Sequence, residues 1–138
     1  MVKLDHIAII VSKLENLKFY EAIGFRETWR KERARDTVVM MESEGWGDCG
    51  EDSEKSAGDV VTLEVFVDPN HPERLTGPEQ MGLRHVGFSV GNLDEMIERL
   101  QKNGIPCEEV RTDWFGRRFT FVKDFDGQPV EIKERVQN

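Results

Sequence analysis

Hydrophobic and polar positions change period in the same order twice along the chain. In Leu4-Asp5-His6-Ile7-Ala8-Ile9-Ile10-Val11 they alternate as on a strand, with His6 sharing a face with Leu4, Ala8 and Ile10, and Ile7, Ile9 and Val11 forming the other. Apolar residues then recur at helical spacing from Leu14 to Ile23, with Ser12 and Glu15 placed as a capping box and Gly24 as the stop. Residues 25–34 and 37–41 return to strand periodicity, the first densely charged. Residues 59–67 make a strong strand in which Glu64 shares a face with Thr62 and Phe66, while Val61, Leu63, Val65 and Val67 fill the opposite one.

The second half repeats this order with different residues. Leu83-Arg84-His85-Val86-Gly87-Phe88-Ser89-Val90 alternates again, and His85 stands where His6 stood, among the small residues Gly87 and Ser89. A helix over 93–102 follows, with Asn92 as its cap, Glu95 completing the box and Asn103-Gly104 closing it. Strands are expected over 106–112, 117–123 and 130–136, with a turn at Asp124-Phe125-Asp126-Gly127 before the last. Glu131 lies between Val130 and Ile132 as Glu64 lies between Leu63 and Val65. Each half therefore reads strand, helix, strand, strand, strand, the signature of an internal duplication in an α+β chain. The modules cover about 1–70 and 80–138 of a single domain, joined by a short linker.

Between the third and fourth strands of the first half, residues 43–58 lose all periodicity and are rich in glycine and acid. They are expected to form a mobile loop, either a tolerated insertion or a lid whose apolar contact is Trp46. This loop accounts for most of the unequal offsets: His85 follows His6 by 79 residues, but Glu131 follows Glu64 by only 67.

Composition narrows the partners. A formal charge of −8 over 138 residues argues against nucleic acid and anionic membranes, both of which demand a positive field. No apolar run approaches twenty residues and no signal peptide is legible, so a cytoplasmic location is expected. Cys49 and Cys107 form no CxxC pair and fit reduced thiols. A small-molecule ligand is the expected partner.

The chemistry rests on the duplication. A lone histidine on a strand is usually a satisfied core residue, but two at equivalent positions, each matched by a glutamate in the last strand of its half, are hard to obtain by accident. If the modules close into a curved sheet, His6, Glu64, His85 and Glu131 converge on one concave face. Two imidazoles and two carboxylates suit Ni²⁺, Zn²⁺, Co²⁺ or Fe²⁺ with positions left open for water or substrate. Arg117 and Arg118 are candidates to hold a substrate carboxylate, or else simply charges on a solvated strand.

These residues resemble the glyoxalase I, bleomycin-resistance and extradiol-dioxygenase superfamily, also called vicinal oxygen chelate proteins. The resemblance spans nearly the whole chain. It rests on Leu4-Asp5-His6-Ile7-Ala8-Ile9 with Phe19-Tyr20 and Gly24-Phe25, on Leu63-Glu64-Val65, on Gly82-Leu83-Arg84-His85-Val86-Gly87-Phe88-Ser89-Val90, and on Asp124-Phe125-Asp126-Gly127-Gln128-Pro129-Val130-Glu131. His71-Pro72-Glu73-Arg74 and Gly116-Arg117-Arg118-Phe119-Thr120-Phe121 are similar to small bacterial lactoylglutathione-lyase-like proteins.

The resemblance implies a duplicated βαβββ fold forming a curved mixed sheet, a homodimer, and metal ligands His6, Glu64, His85 and Glu131. It also implies Ni²⁺ or Zn²⁺ as the ion, with Co²⁺, Fe²⁺ or Mn²⁺ as alternatives. The reaction implied is isomerisation of a 2-oxoaldehyde–thiol hemithioacetal to a 2-hydroxyacyl thioester through an enediolate, with Glu131 as base and Glu64 as the second choice. A CoA-thioester epimerase, an extradiol dioxygenase, a thiol transferase and a non-enzymatic drug-binding protein are alternatives on the same scaffold. The epimerase needs a basic patch for the nucleotide phosphates, and only Arg30 to Arg35 offers one.

Overall fold

The computed structural model describes residues 1–43, 60–75 and 79–135. The loop expectations for Trp46 and Cys49, and most of the acidic segment 43–58, lie outside them. The chain forms two compact units, Met1–Pro72 and Glu73–Asn138.

The first unit carries β1 (Ile7–Val11), a 3₁₀ turn (Leu14–Asn16), α1 (Leu17–Ile23), β2 (Phe25–Glu32), β3 (Thr37–Ser43) and β4 (Thr62–Val67). Its sheet has the order β1-β4-β3-β2, with β1 and β4 parallel and the other pairs antiparallel. The second unit repeats this with β5 (Val86–Val90), α2 (Leu93–Lys102), β6 (Arg111–Thr112), β7 (Arg118–Lys123) and β8 (Pro129–Glu134), in the order β5-β8-β7-β6. Both halves are therefore βαβββ modules, as the repeated period changes predict.

Strand alternation positions the cores. Leu63, Val65 and Val67 are buried on β4, and Val130 and Ile132 on β8, while Glu64 and Glu131 point to the other, half-covered face. Phe19, Tyr20 and Ile23 of α1 and Leu93, Met96 and Leu100 of α2 are buried at helical spacing, the apolar stripes the sequence predicts.

Several boundaries differ from the sequence expectation. The strands over 4–11 and 83–90 begin only at Ile7 and Val86, where pairing with Leu63 and Val130 starts, so each histidine stands just ahead of its strand. The capping box at Ser12 and Glu15 does not form. The chain enters α1 through the 3₁₀ turn, and the Ser12 hydroxyl instead accepts a bond from the Asn16 amide at 3.1 Å. Asn92 does cap α2, its side-chain oxygen accepting the Glu95 N–H at 3.1 Å. The strand expected over 106–112 shrinks to Arg111–Thr112. Pro106 has no N–H to give, and the run before Arg111 is tied to β7 by isolated bonds, Glu108 N–H to the Phe121 carbonyl and the Thr120 hydroxyl to the Glu108 carbonyl. The Asp124 turn forms as expected. Asp124 Oδ1 accepts from the N–H groups of Asp126 and Gln128, and Gly127 takes a positive φ of 90°.

Candidate metal and substrate site

The two halves place their histidine and glutamate at the same register. On the parallel pair β1 and β4, Glu64 stands opposite Ala8, two residues after His6. On β5 and β8, Glu131 stands opposite Gly87, two residues after His85. The equivalence runs to the strand ends, where the Asp68 N–H donates to the Val11 carbonyl at 2.9 Å and the Arg135 N–H to the Val90 carbonyl at 2.8 Å. Side chains two apart on a strand share a face, so continuing this register places each histidine toward the face that carries the glutamate of its unit.

In the second unit the pair is in contact. His85 Nε2 lies 2.9 Å from Glu131 Oε2, and both side chains are largely buried. That spacing is a hydrogen bond between ring nitrogen and carboxylate, and it is close to the separation of about 3.0–3.4 Å between neighbouring ligands about 2.1 Å from one ion. Gly87 lies beside the pair, where a Cβ would make ordinary contact with Glu131, 3.8 Å from its Cβ and 4.0 Å from Oε2. The His85 ring packs edge-on against Phe121 at 4.9 Å between centroids, which limits its rotation.

In the first unit His6 Nδ1 is paired with Asp5 Oδ2 at 2.8 Å. This bond raises the imidazole above its ordinary pKa, and the charges of Glu64 and Asp5 add to the effect. The Asp5 partner engages Nδ1 and leaves Nε2 outside that contact. Among the described residues no group of three or more His, Cys, Asp or Glu gathers as a metal would need; the second unit holds the His85–Glu131 pair, and in the first unit the partner of His6 is Asp5.

Behind Glu131 runs a charged chain that the sequence reading missed. Lys133 Nζ lies 3.2 Å from Glu131 Oε1 and 2.8 Å from Asp113 Oδ2. Asp113 Oδ1 accepts the N–H groups of Phe115 and Arg117, closing the turn between β6 and β7. Lys133 and these backbone donors hold the Asp113 carboxyl down at about 2, and Asp113 in turn raises the Lys133 ammonium. Alternation could have flagged Lys133, which stands two residues after Glu131 on the same face.

A carboxyl whose folded pKa is depressed stabilises the fold above its unfolded value and loses that contribution as pH falls through the folded value. The Asp113 contribution is therefore expected to disappear between about pH 4, the ordinary carboxylate value, and about 2. The Asp113→Asn variant should be less stable at neutral pH and should lose less than the wild type across that interval in urea unfolding. Parallel stability profiles for the two proteins would rule out this role.

The other expected substrate residues are engaged elsewhere. Arg117 donates Nε–H to the Glu134 carbonyl at 2.9 Å. Arg118 reaches Asp94 on α2 at 2.7 Å and Glu134 at 3.4 Å, tying the helix to the sheet. Of the arginines between 30 and 35, Arg30 is paired with Glu27, and Arg33 and Arg35 face Asp36, so their charge is partly spent within the fold. The Cys107 thiol is half-buried and burial pushes its pKa up, away from the thiolate that nucleophilic chemistry requires.

Comparison with known proteins agrees with this architecture. Residues 3–132 match the Glyoxalase/Bleomycin resistance protein/Dioxygenase superfamily, and the chain belongs to that family. It is 41% identical over 138 residues to the uncharacterized protein YwkD of Bacillus subtilis, covering 96% of each chain. The crystal structure of a glyoxalase family protein from Enterococcus faecalis superposes with a TM-score of 0.75 at 31% identity, over 96% of this chain and 97% of that one. At 16% identity the likeness is one of fold alone: the fosfomycin resistance protein FosX of Listeria monocytogenes, crystallised with Mn(II) and sulfate, gives a TM-score of 0.62 over 99% of this chain and 94% of that one. Among the described residues no helix is long and apolar enough to cross a membrane.

Proposed function

We propose that the chain is a divalent-metal-dependent lyase or isomerase of the glyoxalase I type, acting on the hemithioacetal of a 2-oxoaldehyde and a thiol. The metal donors are His6, Glu64, His85 and Glu131, and the ion is Ni²⁺ or Zn²⁺. The protein works as a cytoplasmic homodimer. The observation that carries this reading is the repeated register of imidazole and carboxylate, with His85 Nε2 and Glu131 Oε2 already at the separation of neighbouring ligands.

A divalent ion bound there supplies Lewis acidity, which acidifies the carbon next to a coordinated carbonyl and stabilises developing negative charge. The remaining work belongs to the chain. Glu131 removes the proton from the carbon bearing oxygen and sulfur and returns it to the neighbouring carbonyl carbon, while the hydroxyl proton passes from the first carbon's oxygen to the second's, so the substrate is isomerised without gain or loss of atoms. Lys133 holds Oε1, and Oε2, which meets His85 Nε2, is the oxygen that takes the proton once that contact is released. Glu64 is the alternative base.

Metal analysis of protein purified without chelator tests the reading, together with methylglyoxal isomerisation assayed with several thiols. One ion per pair of His–Glu motifs is expected, and either His6→Ala or His85→Ala should reduce metal content severely. Retention of full metal by both variants would overturn the donor assignment.

A further inference from the structure

The sheet face that carries Glu131 extends into a surface the reaction above does not use. Directly paired residues on neighbouring strands share a face. One row across the second sheet is therefore Gly87, Glu131 and Phe121, and the next is Ser89, Lys133, Phe119 and Arg111. Arg111 lies at the edge, its guanidinium carbon 5.1 Å from the Phe119 ring centre and 6.0 Å from that of Phe121. The two rings meet edge-on at 6.0 Å, and Phe121 in turn touches His85.

Arg111 and Lys133 differ in how their charge is used. Lys133 is already shared between Asp113 and Glu131. Among the described residues no carboxylate pairs with Arg111, which is exposed and bonded only through its stacking on the rings. A guanidinium laid on aromatic rings keeps its edge N–H groups free, in the planar fork that matches a carboxylate. One phenyl ring separates it from the His85 imidazole.

We propose that Arg111, seated on Phe119 and Phe121, is the subsite for a carboxylate carried by the substrate a few bonds from its reacting carbons. The assignment rests on the reaction reading for the position of those carbons. The carboxylate belongs either to the thiol half or to the carbonyl half of the adduct, and the chemistry of its capture is the same.

The test compares full-length protein as purified with Arg111→Gln and Arg111→Lys. In calorimetric titration, glutarate should bind the wild type and its neutral diamide should not. Arg111→Gln should weaken glutarate roughly tenfold or more, the usual worth of a charge-assisted bidentate pair, and Arg111→Lys should fall between. In turnover, methylglyoxal with 3-mercaptopropionate places the carboxylate on the thiol half, and 4,5-dioxopentanoate with 2-mercaptoethanol places it on the carbonyl half. Arg111→Gln should raise KM about tenfold in one of these arms with kcat nearly kept, and should leave methylglyoxal with 2-mercaptoethanol unchanged. Absence of glutarate binding, equal binding by wild type and Arg111→Gln, or an equal KM change in all three substrate arms would overturn the proposal. Arginine-dependent glutarate binding without any isomerisation would uphold the subsite and reject the reaction reading instead.

Discussion

Glu131→Gln is expected to lower turnover by roughly 10²–10⁴-fold, the range that a positioned general base contributes. The amide preserves the shape of the side chain, so the fold and much of the metal should remain. What it removes is the negative charge and the proton affinity. Glu131 Oε2 faces the His85 imidazole and Oε1 faces the Lys133 ammonium, so the variant keeps an oxygen available to one of them while losing the base. A steady-state assay beside metal analysis separates the effects. Unchanged kcat with full metal would transfer the role of base to Glu64, where Glu64→Gln should then show the larger loss.

The second large effect is on stability. Phe19 is fully buried in α1 and meets Tyr20 edge-on at 4.9 Å between ring centres, with Tyr20 itself 6.4 Å from Phe25 at the start of β2. Phe19→Ala deletes a whole aromatic side chain from this cluster and leaves a cavity, at a cost of about 3–5 kcal/mol. Urea unfolding followed by circular dichroism gives the measurement. Phe115→Ala is the matching control. That ring is 81% exposed on the turn between β6 and β7, and its loss should change stability by no more than about 0.5 kcal/mol. Equal losses from the two variants would contradict the burial that α1 derives from its apolar stripe.

Much of the fold was legible because it depends on local periods. Alternation fixed the buried faces of β4 and β8, helical spacing fixed those of α1 and α2, and the order repeated. The equivalent placement of His6 and His85 was legible for the same reason, since both follow from the duplicated order of strands. The rest depends on contacts between strands far apart in sequence. Asp113 and Lys133 are joined at 2.8 Å, yet nothing in the sequence between them indicates their meeting. Arg111 lies on a strand only two residues long, where hydrophobic pattern carries little information. Arg117 and Arg118 read from sequence as candidates for a substrate carboxylate or as charges on a solvated strand, whereas Arg117 is engaged by the Glu134 carbonyl across the sheet and Arg118 by Asp94 once α2 has packed beside it. The shortened strand before Arg111 has the same origin, because an edge strand's length is decided by its one partner.

The outer margin of the first sheet has a consequence for how the chain behaves at high concentration. β2 ends that sheet, carries Arg26, Glu27, Arg30, Lys31 and Glu32, and is kinked where Thr28 is inserted between the pairs Glu27 with Met41 and Trp29 with Met40. An open row of N–H and C=O groups would otherwise template the addition of a strand from another molecule. Charge and the bulge together spoil that template, so self-assembly into extended ribbons is blocked along this border.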